Sequence, residues 1–256
     1  MLIKFMMEMA EKAGAISLHE AEAMAESKVE YKSVRDLVTP VDRKVEDFLR
    51  HEIQKKYPDH SILGEERGTS TGSTDSCWVI DPIDGTNSYV HGLPGYSVSI
   101  ALQQGGESVA GVVYGPVLNM MFAAEKGQGA TLNGRRVKVS ERSQLSQSVL
   151  ATGFAAFRDG QVNESLEMFA RVAPKARDIR RHGSAALDLA WVAAGRMDGF
   201  WEKGLKLYDY AAGILLVAEA GGRVIDFGGG SDYLENGLLA SNCLIEGELL
   251  NLIAGD

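Results

Sequence analysis

The stretch Trp78-Val79-Ile80-Asp81-Pro82-Ile83-Asp84-Gly85-Thr86 decides how this chain reads. Trp78, Val79 and Ile80 form a buried strand that runs into an acid, Asp81, and a second acid, Asp84, follows three residues later. Pro82 lacks an N–H and has a fixed φ, so it bends the chain and lets Asp81 and Asp84 face one point. Gly85 and Thr86 then open a short helical turn whose backbone N–H groups and positive dipole end suit an anion. One short segment thereby offers oxygen ligands for hard cations and, beside them, a cradle for phosphate.

Further acids stand in similar places. Glu65 and Glu66 follow the apolar strand 61–64, and Asp209 stands at the start of an apolar helix over 210–220. Carboxylates a few ångströms apart cannot all ionise without compensation, and Lys and Arg are sparse around these. Divalent cations with all-oxygen ligands answer that need, and Mg²⁺ fits a carboxylate-plus-phosphate site best. Each acid taken singly also has an ordinary structural reading: Asp84 as a turn former, Asp209 as a helix N-cap, Asp42 as the acid of a capping box with Thr39. Spacing alone leaves both readings open.

Composition sets the outer bounds. The 256 residues carry 26 Lys and Arg against 35 Asp and Glu, a net charge of −9. That argues against general nucleic-acid affinity, which needs clustered cations, and leaves room for a phosphorylated substrate wherever bound cations reverse the local sign. With 45% hydrophobic and 24% charged residues the chain is globular, of a length for one large domain or two packed lobes. Cys77 and Cys243 are too few for a disulfide framework. Their apolar neighbours predict buried free thiols in a reducing compartment. Glu8 and Glu11 interrupt the first apolar stretch, so no signal peptide is expected there. No run approaches the about 18 apolar residues of a membrane span. A soluble cytoplasmic protein is expected, with no membrane partner.

Around the central stretch the pattern predicts an orderly chain. An amphipathic helix covers 2–26. A second starts at Thr39-Pro40-Val41-Asp42 and runs to Tyr57, with Val41, Val45, Leu49 and Ile53 on one face. Residues 67–76 read as a polar, mobile loop. Val98, Ile100 and Leu102 alternate with Ser97, Ser99 and Ala101 as a half-buried strand. Strands over 107–114 and 119–125 follow, then a hairpin turn at Asn133-Gly134. Near residue 145 the character changes. Strands at 148–152, 177–180, 199–201 and 238–240 alternate with helices at 162–172, 185–194 (capped by Ser184), 210–220 and 244–253. The expectation is an α/β protein: a mostly antiparallel lobe over about 1–144, an α/β lobe over about 145–256, and a site between them.

At these residues the sequence resembles the inositol monophosphatase family over nearly its whole length. The segments that carry the likeness, in order, are Asp36-Leu37-Val38-Thr39-Pro40-Val41-Asp42, Gly64-Glu65-Glu66, Trp78 through Asn87, and Tyr208-Asp209-Tyr210-Ala211-Ala212-Gly213 leading to Glu219-Ala220-Gly221-Gly222. Gly183-Ser184-Ala185-Ala186 and Phe200-Trp201-Glu202-Lys203-Gly204 add to it. The resemblance implies a five-layer αβαβα sandwich and Mg²⁺-dependent hydrolysis of a phosphate monoester by metal-activated water, with two or three ions per site. Glu65, Asp81 and the Ile83 carbonyl would hold the first ion, and Asp81, Asp84 and Asp209 the second. Glu65 would help hold a weaker third. Asp42 and Thr86 would position and activate the attacking water. The Gly85 and Thr86 amides would bind phosphate, while Ser184, Ala185 and Glu202 would meet the substrate's hydroxyls beside Asp84 and Asp209. Tyr208 stands where the family usually has Trp, and Lys32 is the nearest match to a family lysine that touches a cation's water. A homodimer is implied as well.

Glu202 is the specificity clue, because a carboxylate accepts hydrogen bonds from polyol hydroxyls and repels a second phosphate. The family's inositol-selective members have Glu in this context, so the resemblance favours myo-inositol monophosphate over fructose 1,6-bisphosphate, 3′-phosphoadenosine 5′-phosphate or histidinol phosphate, although Lys203 and Lys206 keep a bisphosphate open. His91 and His182 read as structural. A regulatory binding protein on the same scaffold is the alternative of a different class, since fold does not dictate function.

Overall fold

The computed structural model describes residues 1–23, 30–33, 36–157, 160 and 162–255, and for 22, 23, 30–33, 36 and 37 the backbone alone. Helix α1 (Leu2–Ala23) buries Met6, Met9, Ala10 and Ala13 on one face. Residues 24–26 of the expected helix, and the side chain of Lys32, lie outside what is described. Strands β1 (Glu30–Ser33) and β2 (Asp36–Val38) pair antiparallel. Helix α2 (Pro40–Lys56) starts as its sequence predicts: Thr39 is extended and its side chain accepts from the Val41 and Asp42 N–H groups. Asp42 reaches back to the Thr39 N–H, and Tyr57 is the C-cap.

The first large sheet follows. Its strands are β3 (Ser61–Gly64), β4 (Gly68–Ser70), β5 (Ser76–Asp84), β6 (Ser97–Gln104), β7 (Glu107–Gly115), β8 (Met120–Glu125), β9 (Gly129–Leu132) and β10 (Arg135–Arg136), with the short helix α3 (Thr86–Val90) after β5. Their order is β10-β9-β8-β7-β6-β5-β3-β4, antiparallel except for the parallel pair β3–β5. Asn133 and Gly134 both take positive φ in the expected hairpin turn between β9 and β10.

The second sheet is built from β11 (Val149–Thr152), helix α4 (Val162–Val172), β12 (Asp178–Arg180), helix α5 (Ala185–Ala193), β13 (Gly199–Glu202), helix α6 (Leu207–Glu219), β14 (Arg223–Ile225), the short helix α7 (Tyr233–Asn236), β15 (Leu238–Ser241) and helix α8 (Glu246–Ala254). Its order is β12-β11-β13-β15-β14. Strand β11 runs parallel to both β12 and β13, and β15 runs antiparallel to β13 and β14.

Side-chain alternation along the strands stacks these parts into five layers. Trp78 and Ile80 of β5 pack with Met6, Val45, Leu49 and Ile53 of α1 and α2. Val79, one residue away, faces the opposite side, where α5 and α6 lie between the two sheets. In the second sheet Phe200 and Ala240 face those same helices, while Trp201 and Leu239 face α4 and α8. The order of layers is therefore αβαβα. Close stacking depends on small residues. A Cβ added to Gly213 in α6 would sit 2.5 Å from Leu189 Cδ1 in α5, well inside contact distance.

Four expectations need correction. Residues 67–76 are not all loop, because Gly68–Ser70 pairs with β3; Arg50 of α2 reaches the Gly68 carbonyl and the Ser70 hydroxyl (3.3 Å) and holds that edge down. Strand β6 is buried on both faces through Gln103 rather than half-buried. Its serines looked solvent-facing, yet Ser97 bonds Ser184 and the Ser99 hydroxyl bonds the Tyr208 carbonyl. Helix α6 begins at Leu207, so Asp209 lies inside its first turn. Cys77 is half-buried and Cys243 exposed, because Cys243 sits at a positive-φ turn after β15. The apolar strand 223–225, now β14, was not anticipated. Among the described residues no helix is long and apolar enough to cross a membrane.

Candidate active site

Strict alternation would send Asp81 and Asp84 to opposite faces of β5. A bulge prevents this: Asp81 pairs with Ser99 and Asp84 with Ser97, so one residue is extra on the β5 side, at Pro82-Ile83. The Ile83 N–H closes the local turn on Asp81 Oδ1 at 3.1 Å. Parallel pairing sets Gly64 opposite Ile80, which delivers Glu65 to the cavity that Asp81 lines. From the far lobe, the first turn of α6 brings in Asp209, whose Oδ2 accepts from the Lys206 N–H at 2.5 Å. Carboxylate oxygens of Asp81, Asp84 and Asp209 then lie within 4.8 Å of one another, all buried.

Such crowding is unfavourable for ionised acids. Burial, then the charge of Glu65 and of Asp84, holds Asp81 well above the usual carboxylate range. Burial likewise pushes Asp84 up to about 7, although hydrogen bonds from Ser184 and Ala186 pull it down. A cation among these oxygens would remove the repulsion and replace lost hydration, and the donor set is the oxygen-only one that hard divalent ions take. The residues present therefore fit a metal ion.

Asp42 stands beside this cluster. One of its oxygens accepts from the Thr39 N–H (2.9 Å) and hydroxyl (2.6 Å), and the other accepts from Thr86 Oγ1 at 3.2 Å. Thr86 Oγ1 is also 3.2 Å from the Ile83 carbonyl. Burial raises Asp42 to about 6 against the lowering effect of the Thr39 bonds. Gly85 precedes α3 with φ +98°, and a Cβ there would meet the Gly95 and Gly183 carbonyls at 2.8 and 3.0 Å. Only glycine lets the chain turn so tightly between the lobes.

Two cavities adjoin at the acids. The smaller, about 50 Å³, is lined by Glu65, Asp81, Ile83, Gly85 and Thr86. The larger, about 330 Å³, is lined by Ser184, Ala185 and Glu202 together with Phe154, Phe157 and Asp188. Asp84, Asn87, Arg181, Gly183 and Asp209 line both. Glu202 is buried at the end of β13, with Oε1 accepting from the Ala155 N–H at 2.8 Å. Lys203 bonds Glu164 (2.7 Å), and neither it nor Lys206 lines either of these two cavities. His91 lines neither.

Sequence reading missed five contributors. Among the described residues lining either cavity, Arg181 is the one cation. Asp188, buried, receives His182 Nδ1 at 2.6 Å. Both flank the Gly183-Ser184-Ala185 segment, which was the available signal. Phe154 and Phe157 came from a stretch without a motif. Glu46 lay on a helix face read only for its apolar stripe.

Two stacked sheets with helices between and outside them, and buried acids gathered at the end of β5 and the start of α6, define an α/β sandwich protein with an oxygen-donor cluster that fits cations beside a polar cavity. The chain belongs to the inositol monophosphatase family, which it matches over residues 1–256. It is 42% identical to an inositol-1-monophosphatase of Mesorhizobium japonicum, over 98% of this chain and 96% of that one. It is 44% identical to the Nus factor SuhB of Pseudomonas aeruginosa, over 94% of this chain and 91% of the relative. The crystal structure of extragenic suppressor protein suhB from Bartonella henselae superposes with a TM-score of 0.93 at 39% identity, covering 98% of both chains.

Proposed function

We propose that this protein is a cytoplasmic, Mg²⁺-dependent phosphatase that hydrolyses a phosphate monoester, with myo-inositol monophosphate as its substrate. The observation that carries the reading is that Asp84 and Asp209 line both cavities, so an acid cluster fit for cations opens directly onto a space bordered by Glu202. The family and the relative named inositol-1-monophosphatase support it.

Asp81, Asp84, Asp209, Glu65 and the Ile83 carbonyl would hold the ions. When bound, they would neutralise the acids, polarise the phosphate oxygens and make water a stronger nucleophile. The chain does the rest. Thr86 Oγ1, donating to Asp42, presents its lone pairs to the attacking water, and the proton passes through that hydroxyl to Asp42, whose proton affinity is raised by burial. The Gly85–Thr86 turn orients the phosphate. Glu202 and the Ser184-Ala185 segment meet the hydroxyls of the leaving alcohol. No side-chain nucleophile is required.

The test is phosphate release from myo-inositol 1-phosphate by purified protein, with Mg²⁺ present and then chelated, beside a panel of other monoesters. Release that survives chelation, or a clear preference for 3′-phosphoadenosine 5′-phosphate, would overturn this reading. A regulatory binding role is the second reading, favoured by the relative named Nus factor SuhB. The retained acid trio supports catalysis alongside any such role.

A further inference from the structure

The loop that delivers Glu65 is tied down by charged residues of α2 that take no part in the chemistry above. Glu46 is fully buried. Its Oε2 accepts from the Glu66 N–H at 2.7 Å, and its Oε1 accepts from the Arg67 N–H at 3.0 Å and from Arg50 Nε at 2.7 Å. The same guanidinium reaches over the loop to the Gly68 carbonyl and the Ser70 hydroxyl. A Cβ on Gly64 would fall 2.3 Å from Glu46 Oε1, so the carboxylate fills the place a side chain would take.

We propose that Glu46 and Arg50 are positioning residues that set cation affinity by fixing the backbone on the C-terminal side of Glu65. The inference rests on the cation-site reading above. The two N–H groups that Glu46 binds belong to the two residues directly after Glu65, so their peptide planes cannot rotate while the carboxylate is in place. Glu65 is thereby aimed into the acid cavity from a strand end that would otherwise be free to lift. Arg50 compensates the buried charge of Glu46 and closes the loop's far side onto α2. A buried carboxylate stripped of one partner loses its hold, and the loop loses both clamps together. Groups standing behind a metal ligand in this way typically contribute 10–100-fold in affinity or activity.

The experiment is a Mg²⁺ titration followed by thermal shift, with the Mg²⁺ dependence of phosphate release as the second readout. It compares the parent with Glu46→Gln, Arg50→Met and, as the mildest change, Arg50→Lys. Asp47→Asn is the control, because Asp47 pairs with Arg67 on the exposed side of the same loop. The expected result is a Mg²⁺ midpoint at least tenfold higher in the Glu46 and Arg50 variants, with turnover restored at saturating Mg²⁺ and the control unmoved. Should Glu46→Gln not fold, the two Arg50 variants carry the test. Variants that melt earlier without Mg²⁺ yet keep the parent's midpoint would make the pair merely structural and overturn the inference. A parent without any thermal response to Mg²⁺ would remove the cation site itself, and this inference with it.

Discussion

Ser184 Oγ donates to Asp84 Oδ2 at 2.6 Å across 100 positions of sequence, and in doing so it joins the start of α5 to the end of β5. The Ala186 N–H reaches the same oxygen at 2.8 Å. Asp84 ends β5 of the first sheet, and Ser184 caps α5, accepting from the Leu187 N–H at 3.1 Å. One carboxylate thus faces the acid cluster with its charge and the first turn of a helix with an oxygen. Negative charge at a helix N-terminus is favourable, which offsets part of the burial cost.

Substitutions at these two residues should separate structure from chemistry. Asp84→Asn retains an oxygen for Ser184 and Ala186 and removes a charge repelled by its neighbours. Metal-free protein should melt at the same temperature or higher, while most activity is lost. Ser184→Ala removes a cap, and metal-free stability should fall by about 0.5–2 kcal/mol. Melting temperatures and turnover of both variants check this. Near-normal turnover in Asp84→Asn would remove it from the cation site.

The raised acids make a signed claim about pH. Asp42 near 6, Asp84 near 7 and Asp81 well above its usual range hold protons more tightly folded than unfolded. Their contribution is fully present below the unfolded carboxylate range and is lost as pH rises through the folded values. Between pH 5.5 and 8, metal-free protein should lose stability at this site, and Mg²⁺, which needs the ionised acids, should raise the melting temperature more at each higher pH. Thermal melts with and without Mg²⁺ across that range decide it. A Mg²⁺ shift that shrinks as pH rises would contradict the cause assigned here.

Which of these features could be read from the chain follows from how local they are. The Thr39–Asp42 capping box, the Asn133-Gly134 turn and the strand ending in Asp81 are set by neighbours a few residues apart, and their sequence signals are direct. The acid trio became legible only when Asp-Pro-Ile-Asp was taken together with the distant Asp209. The bulge that turns Asp81 and Asp84 to one side was foreshadowed by Pro82. Tertiary facts were harder. Ser97 and Ser99 read as a solvent face, although partners more than eighty residues away bury them. Glu46 looks like one more exposed helix acid until Gly64 and the loop beyond it are folded against α2. Arg181 is a surface cation by sequence and lies at the mouth of both cavities by topology.

Glu202 allows a test of substrate choice sharper than truncation. Glu202→Ala would orphan the Ala155 N–H and disturb Gly153, whose absent Cβ would sit 2.2 Å from Glu202 Oε2. Glu202→Gln leaves an acceptor for Ala155 and removes only the charge. One charge-assisted bond to a hydroxyl is worth about 1.5–3 kcal/mol. KM for myo-inositol monophosphate should therefore rise at least several-fold, with little change in kcat and none in KM for a small aryl phosphate. Equal changes for both substrates would take Glu202 out of the specificity cavity.

Asp42 poses the closest contest between a structural and a chemical role, because its two oxygens are divided between them. Oδ2 serves the start of α2 through Thr39, and Oδ1 receives the Thr86 hydroxyl. Asp42→Asn can keep an oxygen toward Thr39 and then turns an amide N–H₂ toward Thr86, which can no longer donate there. If the helix were the whole role, stability would change by about 0.3–1 kcal/mol and turnover would stay near the parent's. If Asp42 takes a proton through Thr86, kcat should fall about 10²–10⁴-fold with that same small stability change. Thr86→Val is nearly isosteric, lacks the hydroxyl, and should give a comparable loss. Residues acting as one relay are non-additive, so the double variant should be little slower than either single. The measurement is kcat for the three variants at saturating Mg²⁺ beside their melting temperatures. Multiplicative losses would separate Asp42 from Thr86, and preserved kcat in Asp42→Asn would return that carboxylate to the helix alone.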